Sequence, residues 1–139
     1  MSNGAINRSV IRRVYSDIWS RGNVGALPEL FAPDLAFADR DDESLRGFAG
    51  LQELARRWHA GFPDMHEEVL DLVVEGDKAM CRFRLTGTHR GPFLGIPATG
   101  CRIAIEGIDI YVLRDGKIVS WEYVEDTLGL LRQLGQLPS

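Results

Sequence analysis

GTHRGPFLGIPATG, at residues 87–100, is the stretch that decides how this chain folds. Between its turn residues it carries large apolar side chains, among them Phe93 and Leu94, where loops usually have small polar ones. It separates two strand-like segments, residues 78–88 and 102–113, in which apolar residues occupy both faces. We therefore expect a sheet that encloses a cavity, with this loop packed at the cavity mouth.

The composition bounds the size and the partners of the protein. Its 139 residues, 45% of them hydrophobic, fit one compact domain over residues 1–139. The 16 basic and 20 acidic side chains give a net charge of -4, and no run of Lys or Arg marks a face that follows phosphates. No apolar run is long enough to span a bilayer. We expect neither a nucleic-acid nor a membrane partner.

Targeting and cysteine patterns indicate a cytoplasmic protein. Residues 1–7 have no basic region followed by a long apolar segment, so they do not resemble a signal peptide. Cys81 and Cys101 stand in no metal-site or redox spacing, which favours two reduced thiols. No pair of histidines has metal-ligand spacing either. We expect neither a metal nor a cofactor.

Helical periodicity fills the first half of the chain, and strand patterns fill the second. Segments of alternating apolar residues joined by Gly-containing turns predict an antiparallel meander, so the fold class is α+β. The predicted helices cover residues 7–21, 27–31 and 47–62, and 127–134 with Asp126 as N-cap and Gly135 at the end. The predicted strands cover residues 35–38, 66–74, 78–88, 102–113 and 117–125, and the charged segment 39–43 is predicted as a solvated loop.

A change of apolar phase in the segment 102–113 predicts a bend. Ile103 and Ile105 share one phase and Ile108 and Ile110 the other, with Gly107 at the change, so Gly107 is a candidate β-bulge. A bent sheet wrapped around the preceding helices makes a cone that can hold a ligand. The helices cover only one face of such a sheet, and we expect a homodimer to cover the other.

Several separated motifs, in order along nearly the whole chain, resemble the SnoaL-like polyketide cyclases of the nuclear-transport-factor-2-like superfamily. They are Tyr15 and Trp19 in the first helix, FPD (62–64), GTHRG (87–91), GIP (95–97), TG (99–100), DGKIV (115–119) and LGLLRQLG (128–135). The resemblance implies an NTF2-like cone (an α+β barrel) with three N-terminal helices, a strongly bent antiparallel sheet and a short C-terminal helix. It also implies a hydrophobic, polyketide-like ligand.

In these cyclases an aromatic polyketide ring closes by intramolecular aldol condensation, and the resemblance implies where the polar groups of that site would lie here. The acid/base carboxylate of the last strand falls on Tyr123, and its histidine partner falls on Asp109. A glutamine two residues before that histidine falls on Gly107, and an asparagine falls on Phe37. The chain therefore carries a different constellation on the same scaffold.

Asp109 is the best catalytic candidate, since a carboxylate in an apolar strand has a raised pKa suited to proton transfer. The alternative is a structural ion pair with Arg82 or Arg84. Tyr123 is the candidate hydrogen-bond donor to a ligand oxygen. His89 is expected to hold its loop to the adjacent strand. The candidate ligand-binding residues, which would equally suit a filled core, are Tyr15, Trp19, Phe37, Trp58, His59 and Tyr111.

These residues favour a cofactor-independent enzyme that moves protons on a hydrophobic cyclic molecule, as a cyclase or an isomerase. Two alternatives stay open. One is a divergent SnoaL-like protein that assists hydroxylation of a polyketide, and the other is a small-molecule binding module without catalysis.

Overall fold

A five-stranded sheet organises the part of the chain that the structure describes, residues 3–137 of a computed structural model. Its spatial order is β1-β5-β4-β3-β2, and neighbours are antiparallel except for the parallel pair of β1 and β5. The strands are β1 (Phe31–Ala36), β2 (His66–Glu75), β3 (Lys78–Thr88), β4 (Arg102–Arg114) and β5 (Lys117–Glu125). The predicted meander is thus confirmed for β2 to β5.

The helices precede the long strands, as predicted, and one short helix follows them. They are α1 (Asn3–Arg13), which continues as a π-helical segment (Val14–Ser20), α2 (Leu27–Leu30) after a 3₁₀ turn (Val24–Ala26), α3 (Gly47–Gly61) and α4 (Thr127–Gln133). The wider π-helical turns carry Tyr15 and Trp19, both buried. Such turns frequently occur at functional sites. None of the described helices is long and apolar enough to cross a membrane.

The first strand begins earlier than the segment 35–38 predicted for it. Phe31, Ala32 and Leu35 are buried, and the strand pairs with β5 from Phe31↔Ile118 to Ala36↔Ser120. The prediction used Pro33 as the residue that ends the second helix, and a proline also gives no ladder hydrogen bond. Since β1 is an edge strand, that missing N–H is tolerated within it.

The β-bulge predicted at Gly107 is wrong. The pairing of β3 with β4 runs without interruption from Lys78↔Val112 to Thr88↔Arg102, so odd-numbered residues of β4 face inward throughout. A glycine is needed at position 107 because Phe83 and the backbone of Val124 pack closely against it. A Cβ atom there would lie 2.5 Å from Cζ of Phe83 and 2.7 Å from the carbonyl oxygen of Val124. The apolar residues of the other phase, such as Ile108, are on the outer face and exposed.

The loop at residues 89–101 packs against α3 through its apolar side chains. The Phe93 ring lies 4.4 Å from that of Trp58 and 5.3 Å from that of Phe62, centroid to centroid. Buried His89 holds the loop, since its Nδ1 is 2.9 Å from Oγ1 of Thr99 and its backbone N–H donates to the carbonyl of Cys101 at 2.9 Å. The structural role predicted for His89 agrees with these contacts.

Candidate functional site

Asp109 lies on the inner face of the curved sheet, in the middle of β4. It is paired with Cys81 of β3 and Tyr123 of β5, whose side chains are buried on the same face. Only 4% of Asp109 is exposed, and its side chain borders a cavity inside the cone. An inward position in the strand therefore removes this carboxylate from solvent.

Two hydrogen-bond donors reach Asp109, and a third group supports one of them. The Tyr15 hydroxyl donates to Oδ2 at 2.5 Å, and the Trp121 indole Nε1–H donates to Oδ1 at 2.9 Å. The Tyr111 hydroxyl lies 2.8 Å from that of Tyr15 and, because the Tyr15 proton points at Asp109, Tyr111 is the donor in that pair. A carboxylate has about four acceptor positions, so Asp109 keeps free ones for a ligand.

Burial raises the pKa of Asp109 to about 6, and the hydrogen bonds from Tyr15 and Trp121 oppose that rise. No Lys, Arg or His is among the described residues that line the cavity, so a nearby cation does not neutralise the carboxylate there. A group with this pKa is mostly ionised at pH 7 and is still basic enough to accept a proton from carbon. The electrostatics suit a general base.

The ion pair considered as an alternative for Asp109 does not form. Because Cys81 is the residue opposite Asp109, Arg82 and Arg84 project from the other face of the sheet. Arg82 donates to Oε1 of Glu106 at 2.9 Å and Arg84 to Oε2 at 3.2 Å. Strand alternation therefore separates both guanidinium groups from the cavity.

The cavity beside Asp109 adjoins a larger groove. The inner cavity has a volume of about 20 Å³, enough for one water molecule, and its walls are mainly apolar. The outer groove has about 460 Å³ and is lined in part by Phe93, Leu94 and Gly95 of the loop at residues 89–101. The loop thus lies at the cavity mouth, as its sequence predicts. Four residues border both spaces: Leu54, Trp58, Tyr123 and Glu125.

Tyr123, the candidate donor to a ligand, donates its hydroxyl proton to Oδ1 of Asp39 in a short hydrogen bond. Asp39 is only 5% exposed, so the prediction of a solvated segment over residues 39–43 is wrong at this position. Its Oδ2 accepts hydrogen bonds from the backbone N–H groups of Asp41 at 3.2 Å and Asp42 at 3.0 Å. These bonds replace the water contacts that the carboxyl group loses on burial. Burial, reinforced by the bond to Asp39, raises the pKa of Tyr123 far above its ordinary value, so the phenol stays protonated.

Two inward-facing carboxyl groups were not predicted as site residues. Glu67 of β2 is 8% exposed, and its Oε2 has no hydrogen-bond partner in the described chain. Burial, with the charges of Asp109 and Glu125, raises its pKa well above the ordinary value. Burial, with the charges of Asp109, Asp39 and Asp41, raises the pKa of Glu125 to about 8.

A sequence signal existed for one of these two residues. Trp121, Tyr123 and Glu125 alternate along β5, so the period of two that turns Tyr123 inward does the same for Glu125. Glu67 follows His66 at the start of β2, where the alternation has no preceding residues to set its phase. Asp39 gave no signal either, because its burial depends on the distant Tyr123.

The structure brings four of the predicted site residues to the inner cavity: Trp19, Trp58, Asp109 and Tyr123. Tyr15 and Tyr111 lie behind Asp109 and contact its carboxylate or each other. Phe37 is buried against Trp121, with ring centroids 4.6 Å apart, and is not a lining residue. His59 lies outside the cavity, where Nε2 is 3.0 Å from the carbonyl oxygen of Trp19.

The residues described here form no recognisable metal site. Within 3–137, no three side chains of His, Cys, Asp or Glu are grouped so as to hold an ion. Cys81 and Cys101 are free thiols, and burial raises the pKa of Cys81 to about 11, so its thiolate form is disfavoured. The chemistry available in the cone is that of carboxyl groups, phenols and an indole.

Comparison with known proteins places these features in a family. The family model described as SnoaL-like polyketide cyclase matches residues 9–134. Two curated relatives, the aklanonic acid methyl ester cyclases DnrD of Streptomyces peucetius and DauD of Streptomyces sp. (strain C5), are each 36% identical over 73 residues. That match covers 52% of this chain and 50% and 45% of theirs, so it spans about half the length of these relatives.

Solved structures match over nearly the full length. TsrD from Streptomyces laurentii is 34% identical with a TM-score of 0.87, covering 99% of this chain and 100% of that one. AclR from Streptomyces galilaeus, called a putative hydroxylase, is 27% identical with a TM-score of 0.87, covering 98% and 100%. With the family model spanning residues 9–134, these matches show that the chain belongs to the SnoaL-like polyketide cyclase family and has its NTF2-like α+β fold.

Proposed function

We propose that this protein catalyses proton transfer on a hydrophobic, polyketide-like molecule, without a cofactor, in a ring closure or an isomerisation. The observation that carries the proposal is Asp109: a buried carboxylate that borders a cavity, has no cation partner and is oriented by Tyr15 and Trp121. Its pKa of about 6 makes it an ionised base near neutral pH.

The two adjoining spaces suggest how a ligand would bind. The outer groove, about 460 Å³, is within the range of small-molecule sites, whereas the inner cavity of about 20 Å³ accepts only a small part of a ligand. A flat ring system would rest in the outer groove against Phe93 and Leu94, with one C–H next to a carbonyl directed at Asp109. Asp109 would then take that proton and leave an enol or enolate for ring closure or reprotonation.

Turnover of aklanonic acid methyl ester, the compound named for the two Streptomyces cyclases, tests the proposal. Wild-type protein should close the ring, and Asp109→Asn should lower the rate roughly 10²- to 10⁴-fold, the usual contribution of a positioned base. Glu122→Gln is the matched control, since Glu122 is an exposed carboxylate on the opposite face of β5. Full turnover by Asp109→Asn would overturn the role of Asp109.

A second candidate, a protein that assists hydroxylation or only binds its ligand, is favoured by a specific observation. Tyr123 stands where the resemblance puts the cyclase carboxylate, and its phenol is protonated and bonded to Asp39. The likeness to AclR, called a putative hydroxylase, supports the same alternative. It predicts that Asp109→Asn binds the methyl ester in calorimetry as tightly as wild type while neither protein closes the ring.

We also propose a homodimer through the outer face of the sheet. Met80, Ile108 and Val124 are exposed there on three adjacent strands, beside the Arg82–Glu106 pair. A stable interface buries about 1,200 to 2,000 Å² in total, and apolar residues at its centre supply most of the driving force. Ile108→Lys should convert the dimer to monomer in sedimentation; a monomeric wild type would contradict this proposal.

A further inference from the structure

The reaction proposed above lacks a proton donor for the ligand oxygen. Removing a proton next to a carbonyl places negative charge on the carbonyl oxygen, and a donor at that oxygen lowers the barrier. Tyr123 borders both spaces, but its hydroxyl proton is engaged by Asp39. The Tyr15 proton is likewise directed at Asp109. A different group must give a proton to the ligand.

Glu125 occupies the position that such a donor needs. It follows Tyr123 by two residues in β5, which puts it on the same inner face, and it borders both the inner cavity and the outer groove. Among the residues described, its carboxyl group has no hydrogen-bond or ion-pair partner, although it is partly buried. Gly107, directly opposite in β4, has no side chain with which to engage it.

The groups around Glu125 favour its neutral form. Asp109 faces it from β4, Glu67 from β2, and Asp39 and Asp41 from the segment after β1; all are acidic. The arginines near it do not form ion pairs with it: Arg57 bonds to Glu53 and Asp42, and Arg82 bonds to Glu106. Arg40 borders a surface groove that Glu125 also borders, without an ion pair between them. Burial, with the charges of Asp109, Asp39 and Asp41, raises the pKa of Glu125 to about 8.

We propose that Glu125 is the general acid of this site and that it protonates the carbonyl oxygen of the ligand while Asp109 removes the proton from the adjacent carbon. This assignment rests on the proposed function. In the step, the C–H bond breaks and an O–H bond forms on Asp109, while the O–H bond of Glu125 breaks and the O–H bond of the enol forms. Negative charge moves from Asp109 to Glu125. When the enol reacts, its O–H proton returns to Glu125, and Asp109 gives its proton to the oxygen of the attacked carbonyl in a ring closure or to another carbon in an isomerisation.

The two carboxyl groups have the correct protonation states in one pH window. Asp109, with a pKa of about 6, must be ionised, and Glu125, with a pKa of about 8, must be protonated. Neighbouring titratable groups whose environments separate their pKa values are the usual acid and base of such sites. Activity should therefore be bell-shaped, with an acid limb from Asp109 and an alkaline limb from Glu125.

The test is the pH dependence of the turnover of aklanonic acid methyl ester by Glu125→Gln. Glutamine keeps the size and a hydrogen-bond donor but cannot give up a proton, so we expect a roughly 10²-fold lower rate at pH 7 and no alkaline limb near pH 8. The acid limb near pH 6 should remain. Glu125→Asp, which keeps a proton, should restore an alkaline limb, and the exposed Glu122→Gln should match wild type in both limbs.

The outcomes separate the two proposals. Suppose that Asp109→Asn is inactive while Glu125→Gln is fully active and keeps its alkaline limb. That result overturns the assignment of Glu125 and leaves the role of Asp109 intact. A fully active Asp109→Asn overturns the proposed function and, with it, this inference. A measurement without substrate also tests the assignment of Glu125. ¹³C NMR of the carboxyl carbons should show Glu125 protonated at pH 7, whereas titration near the ordinary glutamate pKa of about 4.3 contradicts the inference.

Discussion

Replacing Asp109 by Asn should make the protein progressively more stable relative to wild type as the pH rises to neutrality, because the wild-type fold holds this carboxylate in an unfavourable environment. Burial raises its pKa from 3.8 to about 6. The protonated form is thus favoured in the folded state, and the stabilisation from Asp109 is fully present below about pH 3.8. It is lost as the pH rises through about 6, since the ionised group must then remain buried.

The size of the effect follows from the shift in pKa. A rise from 3.8 to about 6 corresponds to about 3 kcal/mol at about 1.4 kcal/mol per unit, already net of the hydrogen bonds from Tyr15 and Trp121. Asparagine occupies the same volume and carries no charge at any pH. The free energy of unfolding of the variant minus that of wild type should therefore increase by about 2 to 3 kcal/mol between pH 4 and pH 7.

Urea unfolding of both proteins, followed by tryptophan fluorescence at half-unit pH intervals, measures this difference. Glu67 and Glu125 titrate in both proteins, so most of their contribution cancels. Glu122→Gln is the control, since an exposed carboxylate should leave the difference from wild type flat across the same range. Parallel curves for wild type and Asp109→Asn would refute the reasoning, because they would mean that Asp109 has an ordinary pKa in the folded protein.

Three further predictions test the surroundings of Asp109. Trp121→Phe keeps a ring against Phe37 but removes the N–H that donates to Oδ1 of Asp109. The pKa of Asp109 should then rise, so the acid limb of activity should move upward by about one pH unit. Trp58→Phe removes no such hydrogen bond and should leave the acid limb in place. Gly107→Ala forces a methyl group against Phe83 and the Val124 carbonyl, so it should lower the free energy of unfolding in urea by about 1 to 3 kcal/mol. Gly25→Ala is the control, since the nearest atom to its added methyl group is 3.4 Å away, and it should have little effect. Asp39→Ala removes the carboxylate that accepts hydrogen bonds from Tyr123 and from two backbone N–H groups, so a protease should cleave residues 39–45 faster. An unchanged cleavage rate would show that the Asp39 carboxylate does not hold this segment.

The sequence predicts the long elements well because their signals are local. Runs of strand-forming residues bounded by Gly-containing turns define β3 and β5, whose ends match the predicted 78–88 and 117–125. Asp126 caps α4 by accepting the Gly129 N–H at 2.8 Å, and Gly135 has a φ of +76° after the helix, as their residue types predict. Alternation along β4 also turns Asp109 and Tyr111 to the same face.

The errors and omissions arise where distant contacts decide. Gly107 looks like a bulge because Ile108 and Ile110 on the outer face mimic a change of phase, whereas the ladder to β3 is continuous. Asp39 is buried because Tyr123 reaches it from 84 residues along the chain. The extent of β1 depends on pairing with β5, and the inward position of Glu67 depends on the register of β2 against β3. Local patterns do not encode these tertiary contacts.

A ¹³C NMR titration of the Asp109 carboxyl carbon tests whether Asp109 is a buried base without a cation partner among residues 3–137. Protein labelled at aspartate carboxyl carbons, with Asp109→Asn for the assignment, gives the pKa without any substrate. We expect a midpoint near pH 6, where the acid limb of turnover should also fall. A midpoint at or below the ordinary aspartate value of about 3.9 would contradict it, because it would mean that the fold stabilises the charge.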